Sequence, residues 1–350
     1  MKRQKRKAVQ IGDVQIGGNA PVSIQSMTNT DTRNVKETVA QIKQLEKVGC
    51  ELVRVAIPDQ EAASKVAQIK EEIEIPLIAD IHFNYKLALE VLEQGIDGLR
   101  INPGNIGNED KIELVANKAL ECQVPIRVGV NAGSLEKELL QKYGHPTAKA
   151  MVESALGNIE LLEKFGFEEI IISLKASDVM MTLKAYQLIA QEVDYPLHVG
   201  ITEAGTIKSG TVKSAAGIGA ILAQGLGDTI RVSLTGDPVE EVKVGFQILN
   251  ALNLREQGVN LISCPTCGRC EIELVEIANQ VEEEIADLDK SIEVAVMGCV
   301  VNGPGEAREA DLGIAGGKDV GLIFKKGEVI KKVPGKDLVD ELLIEIDNLE

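Results

Sequence analysis

Pro76-Leu77-Ile78-Ala79-Asp80-Ile81 and Asp97-Gly98-Leu99-Arg100-Ile101-Asn102 are two short apolar runs, each with a charged residue near its end, separated by a segment long enough for a helix. Runs that are apolar throughout, rather than alternating, mark strands covered on both faces, as in parallel sheets. The same unit recurs outward in both directions. Pro21 to Met27 and Glu51 to Ile57 precede it; Val124 to Asn131, Glu168 to Lys175, Pro196 to Thr202 and Asp228 to Leu234 follow. Segments such as Val35 to Val48 and Glu240 to Leu252 carry apolar residues at helical spacing. Eight such units between residues 20 and 252 match a (β/α)8 barrel of the TIM type, which takes about 200–250 residues. A doubly wound open sheet alternates in the same way. The count of eight, and the lack of a Gly-x-Gly-x-x-Gly turn after the first run, favour the barrel.

The pattern breaks at Asn253 to Val259. Residues 1–255 are therefore expected to form the barrel and residues 256–350 a small α+β domain. In that domain a helix is expected over about 271–288 and another over about 337–348. Strands are expected at Ile292 to Met297, Asp311 to Ala315, Val320 to Phe324 and Val329 to Val333.

Tryptophan is absent and aromatics make up only 3% of the 350 residues, so Ile, Leu, Val and Ala must pack the cores. A net charge of −17 argues against a nucleic-acid partner. No apolar stretch approaches the ~18–20 residues of a membrane span. The basic start, Met1-Lys2-Arg3-Gln4-Lys5-Arg6-Lys7, lacks the apolar core of a signal peptide and reads as a solvated end. These features point to the cytoplasm, where clustered cysteines favour metal over disulfide.

In a barrel, chemistry gathers at the C-terminal ends of the strands. Those ends carry Gln25 and Ser26, Arg54, Asp80 and His82, Arg100 and Asn102, Arg127 and Asn131, Lys175, Thr202 and Glu203, and Arg231 and Ser233. Arg54, Arg100, Arg127, Lys175 and Arg231 lie in otherwise apolar runs, where a bare cation is costly. Any one of them could pair with Asp80, Glu203 or Asp228 and merely close the barrel. Together they outnumber those acids, and guanidinium groups suit phosphate oxygens. The set points to a multiply charged anionic ligand. Glu203, in Ile201-Thr202-Glu203-Ala204-Gly205, is either an acid–base group or a salt-bridge partner. Lys175 as a Schiff-base former is a lesser alternative. His82 is a weak substrate contact; His198, inside a run, reads as a core residue.

Cys264-Pro265-Thr266-Cys267-Gly268-Arg269-Cys270 and Met297-Gly298-Cys299 suit either a closed zinc site or an iron–sulfur cluster. Cys270 is expected on the first turn of the next helix, pointing outward. Glu306 follows a Gly303-Pro304-Gly305 turn and offers a displaceable carboxylate.

Several long blocks resemble the 4-hydroxy-3-methylbut-2-enyl diphosphate synthase family. They are Gln25 to Thr30, Ala79 to Phe83, Leu99 to Gly107, Gly129 to Leu135, Lys175 to Asp178, Gly200 to Gly205, Cys264 to Cys267 and Gly298 to Glu306. The resemblance implies a TIM barrel followed by a cluster domain similar to that of sulfite reductase. It implies reductive ring opening and dehydroxylation of 2-C-methyl-D-erythritol 2,4-cyclodiphosphate to 4-hydroxy-3-methylbut-2-enyl diphosphate, in non-mevalonate isoprenoid biosynthesis. Electrons would come from reduced flavodoxin or ferredoxin, and the protein would be a homodimer. By the resemblance, Cys264, Cys267, Cys299 and Glu306 match ligands of a 4Fe–4S cluster. Arg54, Arg100, Arg127, Asn131, Lys175 and Ser233 match the diphosphate site, and Glu203 the active-site glutamate. Cys270 departs from the family's ligand pattern; it would either compete with Glu306 for the fourth iron or sit on the helix surface, and the surface is favoured. A zinc-bearing barrel aldolase or phosphatase would instead be colourless with an imine-forming Lys175. An iron–sulfur sensor would leave the five rim cations without a role.

Overall fold

The computed structural model describes residues 3–285, 288, 290–299, 305, 308–317 and 320–349. The chain divides into two units, Met1–Arg255 and Glu256–Glu350. The first begins with an antiparallel hairpin, β1 (Ala8–Ile11) and β2 (Val14–Gly17). Sequence reading did not anticipate it. Its Val9, Ile11 and Ile16 pack on Leu52, Ile78 and Ile171, residues near the starts of three barrel strands, and so cover the N-terminal end of the barrel.

The barrel strands are β3 (Ser23–Met27), β4 (Leu52–Ala56), β5 (Leu77–Asp80), β6 (Gly98–Ile101), β7 (Ile126–Asn131), β8 (Ile170–Lys175), β9 (His198–Val199) and β10 (Thr229–Ile230). They pair in parallel in the order β8-β7-β6-β5-β4-β3-β10-β9. A single parallel bridge, Ile172 to Leu197, joins β8 to the approach of β9 and closes the ring. The TIM-type barrel expected from sequence is present.

β9 and β10 are much shorter than their apolar runs suggested. Side chains replace ladder bonds there: Asp228 accepts from the Leu197 amide, and the Tyr186 hydroxyl bridges the Leu174 amide and the His198 carbonyl. The strands read as continuously apolar because their outward residues, such as Ile24, Val53, Leu99, Val128, Ile172 and Val199, share one core with the surrounding helices. The inward positions alternate with these.

The basic start is not a solvated end. Arg6 is buried and donates to the carbonyl oxygens of Val193, at 2.7 Å, and Ala190, both at the end of the helix Val179–Glu192. Arg3 lies 3.7 Å from the buried carboxylate of Asp228. A helix C-terminus and a buried acid both need cationic donors, and the tail supplies them.

The second unit is a five-stranded mixed sheet in chain order: β11 (Val259–Ser263), β12 (Ile292–Met297), β13 (Leu312–Ala315), β14 (Val320–Lys325) and β15 (Glu328–Pro334). β11, β12 and β13 are parallel; β14 pairs antiparallel with both β13 and β15. The extra strand relative to expectation is β11. Helices Leu274–Ile285 and Leu338–Asp347 place Leu274, Val281, Leu338 and Leu342 on one face of the sheet, against Val294, Val296 and Ile314. The first of these helices starts at Leu274, three residues later than expected from 271. Among the described residues no helix is long and apolar enough to cross a membrane.

Candidate active site and metal centre

Residues two apart in a strand share a face. With the apolar residues turned outward, the inward set is Gln25 and Met27, Arg54, Asp80, Arg100 and Asn102, Arg127, Gly129 and Asn131, Lys175, His198 and Gly200, and Arg231 and Ser233. All five cations expected from sequence are in it. Neighbouring register stacks three charged residues side by side, Asp80 beside Arg100 and Arg100 beside Arg127.

Asp80 is the hub of one group. Its carboxylate accepts from Arg100 at 3.0 Å, lies 3.5 Å from Arg54, and is 3.8 Å from the ring of the exposed His82. Burial pushes this carboxyl up, but Arg54 and Arg100, then His82, outweigh it and hold it below the usual carboxylate range. Burial brings Arg54 down to about 10, with Asp80 opposing the shift. The Arg54 guanidinium also lies 3.1 Å from the Met27 sulfur.

Arg127 donates to Gln25 at 2.5 Å, while its Nε and second Nη are buried without a partner among the described residues. Burial, then Arg54 and Arg100, push it well below its ordinary value. Gln25, Arg127 and Thr229 line a cavity of about 10 Å³, room for one water. Arg231 is 3.4 Å from Glu241, a buried residue of the helix Pro238–Ala251 that also accepts from Ser26 and from the Leu234 amide. Lys175 touches His198.

The carboxylates in contact with these five cations, among the described residues, are Asp80 and Glu241. Asp228 is engaged elsewhere, by Arg3 and the Leu197 amide. The set therefore carries surplus positive charge. Glu203 is exposed in the loop after β9, at φ 51°, a left-handed conformation rare for residues other than glycine. Asn131 ends β7 and Ser233 lies three residues past β10, both half-buried.

Two inward glycines leave room for cations. A Cβ on Gly129 would sit 2.4 Å from Arg100 Nε, and one on Gly200 would sit 2.8 Å from Lys175 Nζ. Sequence reading missed this role, and it missed Glu241 because that residue arrives from a helix rather than a strand end. His198 was read as a core residue; its place two before Gly200 on the inward face was the available signal.

In the second unit, the pairing of Ser263 with Val296 brings the ends of β11 and β12 together, and Cys264 and Cys299 follow them. The Cys264 amide donates to the Val296 carbonyl at 3.2 Å, and the Gly298 amide lies 3.5 Å from the Cys264 sulfur. Cys267 is exposed; the Arg269 amide, then the Arg269 side chain, lower its thiol below the usual value. Cys270 precedes the helix instead of lying on its first turn, and it is half-buried rather than on the surface. Its thiol donates to the Ile272 carbonyl at 3.2 Å, and a Cβ on Gly298 would lie 2.8 Å from its sulfur. Among the described residues no three His, Cys, Asp or Glu side chains surround one metal position. Glu306 lies outside the described residues. Cysteines following adjacent strand ends, and a thiol already biased toward thiolate, fit an iron–sulfur centre by donor chemistry.

The GcpE TIM-barrel domain matches residues 6–246, and the GcpE protein C-terminal domain matches residues 260–348. The chain belongs to the GcpE family. It is similar to proteins named 4-hydroxy-3-methylbut-2-en-1-yl diphosphate synthase (flavodoxin). That of Geobacter sulfurreducens is 62% identical over 347 residues, covering 99% of this chain and 98% of the relative. That of Clostridium acetobutylicum is 58% identical over 349 residues, covering all of both. Among solved structures, dihydropteroate synthase from Stenotrophomonas maltophilia aligns at TM-score 0.51 and 13% identity, over 70% of this GcpE chain and 98% of that one. That likeness is one of fold alone.

Proposed function

We infer that this chain is an oxidoreductase that converts 2-C-methyl-D-erythritol 2,4-cyclodiphosphate to 4-hydroxy-3-methylbut-2-enyl diphosphate, in non-mevalonate isoprenoid biosynthesis. The names of its full-length relatives give the product and flavodoxin as donor. The observation that carries the reading is five inward cations met by two carboxylates, a surplus suited to a diphosphate.

Under this reading residues 1–255 bind substrate and residues 256–350 carry the redox centre. Arg54, Arg100, Arg127, Lys175 and Arg231 neutralise and orient the diphosphate. Asn131, Ser233 and His82 add hydrogen bonds. Glu203 delivers a proton to the departing hydroxyl oxygen, which leaves as water as the ring opens. Cys264, Cys267 and Cys299, with Glu306, would hold a 4Fe–4S cluster, which when bound would supply the two electrons of the reduction one at a time, taken from flavodoxin or ferredoxin. The protein acts in the cytoplasm as a homodimer, without nucleic-acid or membrane partners.

Anaerobic iron and sulfide analysis, with EPR of the reduced protein with and without the cyclic diphosphate, tests the reading. About four irons per chain and a spectrum altered by substrate are expected; zinc without iron overturns the redox assignment. Glu203→Gln should keep iron and substrate affinity while lowering kcat by about 10²-fold or more, the scale of general acid catalysis. Near-normal turnover removes Glu203 from that role.

A further inference from the structure

We propose that His198 is a positioning residue for Lys175: a neutral imidazole protonated at Nδ1 accepts a hydrogen bond at Nε2 from the Lys175 ammonium and holds that charge in the cation cluster. Only the consequence for substrate rests on the diphosphate reading above; the hydrogen bond itself does not.

The two nitrogens are 3.1 Å apart, and both side chains are buried. An ammonium has three donors and no acceptor, so burying it requires an acceptor nearby. Among the described residues Lys175 contacts no carboxylate, and His198 is its hydrogen-bond partner. The imidazole can serve only with Nε2 bare, which puts the ring proton on Nδ1. Nδ1 meets no donor among the described residues, so no protein group demands its lone pair and the ring proton can reside there. A second proton is opposed first by burial, then by Arg127, Lys175, Arg54 and Arg231, all of which push the ring well below its usual value. Burial and Arg54, Arg127, Arg231 and Arg100 press on Lys175 in the same direction. The acceptor is therefore what favours the charged lysine at this position.

The backbone around the pair is fixed for this contact. The Tyr186 hydroxyl accepts from the Leu174 amide and donates to the His198 carbonyl, clamping the two strands that carry Lys175 and His198. Gly200, two residues after His198 on the same face, leaves the recess that Lys175 Nζ occupies.

The wild-type chain has three histidines, so His198→Gln identifies the ring signals of His198 by their loss in nitrogen-15 NMR of the intact protein. Between about pH 6 and 8, where an ordinary histidine titrates, His198 should remain neutral with an unprotonated, hydrogen-bonded Nε2. An imidazolium, or a proton on Nε2, overturns the proposal whatever the enzyme's activity. In steady-state assays His198→Leu should raise KM for the cyclic diphosphate on the order of tenfold, the scale of a lost hydrogen bond to a charged group. The loss should begin at lower pH than in wild type, because a lysine without its acceptor deprotonates sooner. His198→Gln, which offers a carbonyl acceptor, should recover most of the affinity. If His198→Leu does not fold, the NMR result and the glutamine variant decide. A KM and pH profile equal to wild type in His198→Leu defeats the idea even if the tautomer is as expected.

Discussion

At the scale of single residues, the barrel interior is decided as much by what is missing as by what is present. Gly129 has no side chain because Arg100 occupies the space a Cβ would need, 2.4 Å from its Nε. Gly129→Ala should displace that guanidinium and raise KM for the cyclic diphosphate about tenfold, the value of one misplaced charge-assisted contact; an unchanged KM would show that Arg100 can shift freely. Asp80 poses the opposite case, a buried acid between Arg54 and Arg100. Its carboxyl lies below the usual range when folded. The stability it contributes is thus fully present above the unfolded pKa of about 4 and is lost as pH falls through the lower folded value. Asp80→Asn leaves two buried guanidiniums without a counter-charge and should destabilise by about 3–5 kcal/mol near neutral pH. Urea unfolding should show the gap to wild type intact near neutrality and narrowing only in acid below about pH 4. A gap that closes at higher pH contradicts the Asp80 account. The five cations were legible in the sequence because a charge inside an apolar run stands out. Glu241 and the two glycines were not, because partnership across elements and the volume of a recess leave no local mark.

At the scale of elements, the joint between β8 and β9 is the thinnest part of the barrel ring. Among the described residues one backbone bridge with its Ile172 amide to Pro196 carbonyl bond, the Tyr186 hydroxyl and the Lys175–His198 contact hold it. Tyr186→Phe removes both hydrogen bonds of the hydroxyl and leaves a buried amide and carbonyl unsatisfied, which should cost about 1–3 kcal/mol. Amide exchange should accelerate first around Leu174 and His198. Uniform loss of protection across the barrel would mean the joint is not a local weak point. Strand existence was readable from the outward apolar residues, since every barrel strand lies within an expected run. Strand length at β9 and β10 was not, because side-chain hydrogen bonds took over from the ladder. The hairpin of β1 and β2 escaped notice: its strands are four residues each, and its role as a floor appears only against Leu52, Ile78 and Ile171.

At the scale of the whole molecule, each unit owns a separate core, one of Ile, Leu, Val and Ala around the barrel and one between the sheet of β11–β15 and its two helices. Separate cores allow separate unfolding transitions. If the cysteines hold the cluster, chelating its iron should lower the transition of residues 256–350 and leave that of the barrel within error, as calorimetry can resolve, because a ligand stabilises the unit that binds it. A barrel transition that falls equally assigns the metal's effect elsewhere. The sequence by itself determined the barrel, the run of cysteines and the excess of cations within apolar runs, because hydrophobic period, cysteine spacing and a charge set among apolar residues are properties of the chain read in order. Only the tertiary structure decided which acid answers which cation, that His198 serves Lys175, that Cys270 turns into the protein, and that the basic start is anchored. Those outcomes depend on distances between residues far apart in the chain, and a linear pattern carries no such distances.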